Sequence, residues 1–328
     1  KIMYFSKIKA TGSCIPQKVV TNDELANIVE TDDEWIKSRT GICQRHVSIG
    51  EDTSDLATGT AKMILEKGNI NPEDIELIVV ATISPDYNVP SVSCIVQKNI
   101  GAVNAMAFDI SAACSGFVFG MSIADKFIKT GAFKNALVIG SEVLSKHVNW
   151  ADRSTCVLFG DGSGGAFIER SKKPGVIAED VMSDGAKGFA LTDARCTPSN
   201  VFNDVKKVES VEDIKIRMDG KEIFDFATRR IPKSIKKLME ENNITADDIK
   251  YIVNNVLLEY GALASWKLSD LSHREISWLN SRAGLKDGEN GSNIIQLADI
   301  QKDSEKVRPY DHVWDMYYDE FEDLDTVE

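Results

Sequence analysis

The sequence predicts an α/β fold built from two similar halves, and three observations carry that expectation. Apolar, β-branched runs of strand length alternate with stretches whose apolar residues recur at helical spacing. Those runs are apolar throughout rather than at every second residue, which suits strands covered by helices on both faces. One pattern also occurs twice: Asn69-Ile70-Asn71-Pro72-Glu73-Asp74-Ile75-Glu76-Leu77-Ile78-Val79-Val80 is echoed by Asn243-Ile244-Thr245-Ala246-Asp247-Asp248-Ile249-Lys250-Tyr251-Ile252-Val253. Each copy follows an amphipathic stretch, 53–67 in the first case and 222–242 in the second, so each unit reads as helix, polar turn and buried strand.

In chain order, helical spacing predicts helices over 22–29, 33–40 and 53–67, and a β-branched run predicts a strand over 76–82. A helix over 89–100, a strand over 106–110, a helix over 115–130 and a strand over 136–141 follow on the same grounds. The apolar run 156–159 reads as a further strand, and Gly160-Asp161-Gly162-Ser163-Gly164-Gly165 after it as a tight turn. That turn is no phosphate loop, because no Gly-Lys-Ser/Thr follows it. Pro232 predicts a kink or break in the helix over 222–242. Past Val253 the character changes: 254–281 suits a helix, 284–291 a loop, and 310–328 is an acidic block without Lys or Arg. Such a block is solvated unless Trp314, Tyr317, Tyr318 and Phe321 anchor it. The expected division is a first half over 1–170, a second half over 171–301 that diverges after 253, and an acidic tail over 302–328.

With 328 residues, 43% hydrophobic and 27% charged, the composition is that of a soluble globular protein. No apolar run approaches the ~20 residues that cross a bilayer. Residues 1–7 lack a signal-peptide core, and Met3 reads as the native start. A net charge of −13 argues against nucleic acid as a partner. The local exception is a basic cluster, Arg229, Arg230, Lys233, Lys236 and Lys237, readable as a solvated helix face or as a dock for an acidic partner. Six dispersed cysteines without a C-x-x-C pair argue against zinc and against a disulfide scaffold, and fit a reducing cytoplasm.

Cys114 lies in Ala107-Phe108-Asp109-Ile110-Ser111-Ala112-Ala113-Cys114-Ser115-Gly116-Phe117, where an apolar strand meets a helix start. A helix start offers unpaired N–H groups and partial positive charge, which favour thiolate over thiol. The small residues around it permit a tight turn and close approach of a carbonyl. A nucleophile turn is one reading; a buried cysteine packed as a small hydrophobe is the other. The residues alone leave both open.

Three segments carry a resemblance: Thr31-Asp32-Asp33-Glu34-Trp35-Ile36-Lys37-Ser38-Arg39-Thr40-Gly41-Ile42, the run from Asp109 to Gly116, and Asn149-Trp150-Ala151-Asp152-Arg153-Ser154-Thr155-Cys156-Val157-Leu158-Phe159-Gly160-Asp161-Gly162. In this order and spacing the chain, from about Ile2 to Val253, resembles the β-ketoacyl-acyl-carrier-protein synthase III family, the condensing enzymes that start type II fatty-acid synthesis. The resemblance implies a thiolase-like fold of two duplicated α/β halves in five αβαβα layers, and a cytoplasmic homodimer. It implies that Cys114 accepts an acyl group from acyl-coenzyme A and that the thioester condenses with malonyl-acyl-carrier-protein. Coenzyme A enters as a substrate, and no other cofactor or metal is implied.

By matching positions, Trp35 stacks on the adenine of coenzyme A, Arg39 pairs with its charged groups, and Thr31 and Arg153 share that face. Read without the family, Trp35 and Arg39 are a helix-surface pair and Arg153 an ordinary ion-pair partner of Asp152 or Glu142. Gly220 and Phe224 match a segment beside the coenzyme A tunnel, and Val89 a position shaping the primer pocket across the dimer. The basic cluster then reads as the dock for the acidic carrier protein.

The chain also departs from the family. A Pro-His-Gln-Ala-Asn run belongs after the strand matching 251–253; here stands Asn254-Asn255-Val256-Leu257-Leu258. The catalytic Asn segment finds only a faint match in Asn290-Gly291-Ser292-Asn293, and the closing Gly-rich strand is not evident. The four histidines are His46, His147, His273 and His312, none at the family position. His46 reads as packed or solvent-facing, and His147 as lying on the binding side. Two expectations compete: a divergent or foreign terminal quarter, and a relative that keeps the loading cysteine without the decarboxylation groups. On the second, the chain is a silent scaffold or partner subunit.

Overall fold

The computed structural model describes residues 4–206, 210 and 214–245. In chain order the strands are β1 (Phe5–Cys14), β2 (Val19–Thr21), β3 (Gln44–His46), β4 (Leu77–Ala81), β5 (Met106–Ile110), β6 (Asn135–Val143), β7 (Asp161–Ser171), β8 (Leu191–Thr192) and β9 (Arg217–Met218). The helices are α1 (Asn22–Leu25), α2 (Asp33–Thr40), α3 (Thr53–Gly68), α4 (Val92–Ile100), α5 (Gly116–Thr130), α6 (Arg153–Cys156) and α7 (Gly220–Glu241).

The main sheet has the order β1-β7-β6-β4-β5. β4 runs parallel to both β5 and β6, while β7 is antiparallel to β6 and to β1. Every residue of β4 is buried, and its two faces feed different cores. Ile78 and Val80 pack with Ala57, Ala61 and Ile64 of α3 and with Val92 and Val96 of α4. Leu77 and Val79 pack with Ala124 and Ile128 of α5. An uninterrupted Leu-Ile-Val-Val-Ala run is what a strand between two helical layers requires.

The internal echo has a structural counterpart. After α3, Asn69 takes φ +47° and Ile70 N–H donates to the Leu65 carbonyl at 2.9 Å. After α7, Asn243 takes φ +53° and Ile244 N–H donates to the Met239 carbonyl at 2.8 Å. Both helices thus end on a left-handed asparagine with the same six-residue closing bond. The strand expected at 249–253 and the features read at 254–281, 284–291 and 310–328 lie outside the described residues.

Two expectations are corrected. Residues 156–159 are buried but form no strand: α6 occupies 153–156, started by Asp152, whose carboxylate accepts from Ser154 N–H at 2.9 Å and from the Thr155 hydroxyl at 2.8 Å. A short apolar run inside a core reads alike as strand or as helix end. The expected glycine turn at 160–165 is instead the opening of β7, which pairs along its length with β1 and β6. Its glycines serve close approach: a Cβ on Gly165 would lie 2.7 Å from the Val138 carbonyl oxygen and 3.2 Å from Ile64 Cδ1.

Elsewhere the differences are at the ends. Helix 22–29 shortens to α1, helix 89–100 begins at Val92 behind a Ser91 cap, and α7 runs through Pro232 as one span. β1 was not legible, because its buried and exposed residues alternate irregularly and its register shifts between Ile8 and Ala10. No helix among the described residues is long and apolar enough to cross a membrane.

Candidate active site

Cys114 is carried on a sharp connection between β5 and α5. β5 ends at Ile110, Ala113 takes φ +44°, a single turn of 3-10 helix spans Ala113–Ser115, and α5 starts at Gly116. A non-glycine residue in the left-handed region is uncommon and marks a turn held by its surroundings. The first turn of α5 lies hard against β4, since a Cβ on Gly116 would stand 2.8 Å from Ala81 Cβ. The half-buried thiol is therefore presented at the N-terminal end of a 15-residue helix, where the helix dipole favours its ionised form. None of the six cysteines is in a disulfide.

Asp109, at the register position beside Val80, fixes the neighbouring helix. Its carboxylate accepts from the N–H groups of Val92 and Ser93 at 2.7 and 2.8 Å, so the strand that delivers Cys114 also caps α4.

Cys114 opens on two spaces. One is an apolar cavity of about 870 Å³ between α5, the segment 176–184 and α7. The other is a small cavity of about 30 Å³ walled by Ile83, Leu144, Phe159, Leu191 and Ile216, with two carboxyls, Glu142 and Asp193, in its lining. Glu142 is fully buried at the end of β6 and accepts from Ile83 N–H (2.9 Å), Ser84 N–H (3.1 Å), the Thr82 hydroxyl (3.1 Å) and the Ser84 hydroxyl. Burial pushes its carboxyl up to about 7, against the pull of these donors. Asp193 pairs with His147 Nδ1 at 2.8 Å. Neither carboxyl was singled out from the sequence, although an acid inside the buried run of β6 is a signal in itself.

The resemblance-based residues Trp35, Arg39 and Arg153 do converge. Asp32 caps α2 by accepting Trp35 N–H at 2.7 Å. The Arg39 and Arg153 guanidinium carbons lie 5.1 and 4.7 Å from the Trp35 ring centroid. Arg153 also donates to the Glu30 carbonyl at 3.1 Å, next to Thr31, whose buried hydroxyl oxygen has no hydrogen-bond partner. Trp35 packs on a core that contains Leu144, Phe159 and Ile216, three walls of the small cavity. One apolar layer thus joins the aromatic–arginine face to Cys114.

Other expected residues are placed differently. Gly220 is the exposed first residue of α7 and Phe224 is half-buried one turn on, and neither lines either cavity. Val89 is 85% exposed and borders neither cavity. In the basic cluster, Arg229 pairs with Asp225 (2.5 Å), Arg230 with Asp184 (3.6 Å), Lys236 with Glu240 (3.7 Å) and Lys237 with Asp180 (2.6 Å), while Lys233 is exposed. His46 is buried with Nδ1 2.6 Å from the Pro16 carbonyl oxygen. His273, His312 and 290–293 lie outside the described residues. Among the described residues no cluster of acidic, His and Cys side chains is arranged to hold a metal.

Comparison with known proteins decides the family. Residues 108–185, which span the Cys114 turn and β7, match the family described as 3-oxoacyl-[acyl-carrier-protein (ACP)] synthase III. The chain is 48% identical over 260 residues to a β-ketoacyl-[acyl-carrier-protein] synthase III of Clostridium acetobutylicum, covering 78% of this chain and 79% of that one. The chain belongs to the β-ketoacyl-[acyl-carrier-protein] synthase III family. A synthase III of Streptococcus pneumoniae is 49% identical over 251 residues, 76% of each chain. Among solved structures, the synthase III of Aquifex aeolicus aligns with a TM-score of 0.67 at 33% identity over 92% of both chains. The fold is that of these synthases, a mixed α/β thiolase-like fold, and the activity class is acyltransferase.

Proposed function

We propose that this synthase III condenses an acyl-coenzyme A primer, acetyl-coenzyme A or similar, with malonyl-acyl-carrier-protein through an acyl-enzyme on Cys114. The observation that carries the reading is the half-buried thiol on a strained strand-to-helix turn, facing a cavity linked by one apolar layer to Trp35. The Cys114 thiolate attacks the primer thioester, and the C–S bond to coenzyme A breaks. The resulting thioester is close in energy to the one consumed, and it leaves again when a carbanion attacks it. The backbone N–H of Cys114 is the first donor for the oxyanion that develops.

Trp35 offers a flat face for adenine, with Arg39, Arg153 and the unpartnered Thr31 hydroxyl beside it for the charged and polar groups of coenzyme A. Gly220 and Phe224 border the same approach, and Val89 shapes the primer pocket from a neighbouring subunit. The exposed lysine and the ion-paired residues of α7 dock the acidic carrier protein; surface pairs of that kind are weak enough to exchange partners. Among the described residues β5 is an edge strand of the main sheet, which supports a homodimer, since a free strand edge pairs readily with a second copy. Six cysteines without a disulfide fit a cytoplasmic enzyme, and the chemistry needs no cofactor beyond its thioester substrates. We divide the chain at about residue 170, where β7 closes the first sheet.

Incubation with labelled acetyl-coenzyme A places label on Cys114 and none on Cys114→Ala; equal label on both, or none on either, removes the reading. The missing Pro-His-Gln-Ala-Asn run favours a second reading, an acyl-loading or silent subunit without decarboxylation. Release of carbon dioxide from malonyl-acyl-carrier-protein separates the two, because loss of a single oxyanion donor costs ~10²–10³ in rate.

A further inference from the structure

Three acids border one small space. Cys114, Glu142 and Asp193 all line the cavity of about 30 Å³, and among the described residues every other residue lining it is apolar. A space of that size takes about one water molecule. Three negative charges around it, in surroundings this poor in solvent, repel one another strongly. When the Cys114 thiolate forms, one of the two carboxyls must therefore be neutral.

The surroundings decide which one. Asp193, on the segment after β8, is paired with His147 Nδ1 at 2.8 Å. Glu142, on β6, has only neutral donors: the Thr82 and Ser84 hydroxyls and the Ile83 and Ser84 N–H groups, all from the turn after β4. Lys146, a cation beside this turn, donates to the carbonyls of Ser84 and Pro85 at 2.7 and 3.3 Å. Phe159, Leu191 and Ile216, from the remaining elements, bring no charge. Burial already raises the Glu142 carboxyl to about 7, into the range where a proton is exchanged easily.

We propose that Glu142 and Cys114 titrate as a pair, the Glu142 carboxylate taking up the proton that the thiol gives up, so that the reactive state is a thiolate beside a neutral carboxylic acid. This rests on the nucleophilic role of Cys114. In the step, the S–H bond breaks and the proton crosses the cavity through one water to the carboxylate. The electron pair left on Sγ forms the bond to the acyl carbon. The C–S bond to coenzyme A then breaks with its pair going to the coenzyme sulfur, which takes the proton back from Glu142. Glu142 exchanges this proton with Cys114 and with the leaving coenzyme sulfur only through the intervening water, and makes no direct contact with either.

The test is the alkylation rate of Cys114 by iodoacetamide in the full chain, resolved at that residue by mass spectrometry, from about pH 5 to about pH 10. Coupled groups ionise in two macroscopic steps, so the wild-type rate rises in two steps. In Glu142→Gln the carboxylate that opposes the thiolate is gone; the rise becomes a single step, and alkylation at about pH 8 is roughly tenfold faster, the effect of about one unit of coupling. Identical profiles for the two proteins, or a slower variant, overturn the pairing. Should the variant fail to fold, the wild-type profile decides: one step overturns the proposal and two steps support it. Alkylation needs only the thiol, whereas acyl labelling needs the acyltransferase. A two-step profile in a protein that never loads acetyl groups leaves the pair standing and removes the nucleophile role.

Discussion

The guanidinium carbon of Arg153 lies 4.7 Å from the centre of the Trp35 ring, although 118 positions separate the two in the chain (153 − 35). The contact joins α6 to α2, and on the proposed reading adenine stacks on this face once an arginine side chain moves aside. Trp35→Ala is expected to raise the KM for acetyl-coenzyme A about tenfold, with kcat changed little, because base stacking contributes ~1–3 kcal/mol. Steady-state kinetics with the primer varied checks this; an unchanged KM means the ring is packing only.

The turn that carries Cys114 is held by contact with β4. Gly116→Ala places a Cβ 2.8 Å from Ala81 Cβ, and overpacking of this kind costs ~1–3 kcal/mol. Urea unfolding is expected to show that loss, and the double variant with Ala81→Gly to recover part of it. Additive effects of the two substitutions would mean that they do not meet.

Asp109 supplies both carboxylate oxygens to the N-terminus of α4. Asp109→Ala leaves two inner N–H groups without acceptors, at a cost of ~1–3 kcal/mol. Thermal unfolding should register the change, and Cys114 alkylation should change with it, because the same strand leads to the thiol.

Glu142 makes stability depend on pH in a defined direction. Its carboxyl is raised from the ordinary 4.5 to about 7 by burial. Between those values the folded protein keeps a proton that the unfolded chain has released, so stability falls as pH rises through this window. The whole effect is about 3 kcal/mol for a shift of this size. It is fully present as stability below about 4.5 and gone above about 7. Melting temperatures of wild type and Glu142→Gln should therefore diverge across this window in favour of the variant; parallel curves would show that the carboxyl is not buried in solution.

The elements that were legible from the sequence are those whose own residues decide them. β4 declares itself by uninterrupted apolar side chains, β5 by an apolar run broken only at Asp109, and α2 by the Asp32 cap and Gly41 at φ +69°. What was misread depended on distant partners. The buried run 156–159 gives no sign that it lacks a strand to pair with, and the glycines of β7 look like a turn until Ile64 and Val138 are seen against them. The site followed the same division. Cys114 and Trp35 were found through contiguous motifs, whereas Glu142 and Asp193 became visible only when the ends of β6 and β8 met beside the thiol.

The close contact of Gly116 with Ala81 and the left-handed Ala113 leave the cysteine on a rigid mount. On the proposed reading, the groups that yield to a thioester of coenzyme size lie elsewhere, in the arginine side chains over Trp35. On that reading, substitutions over Trp35 alter the entry of the thioester while the thiol itself stays where β4 holds it.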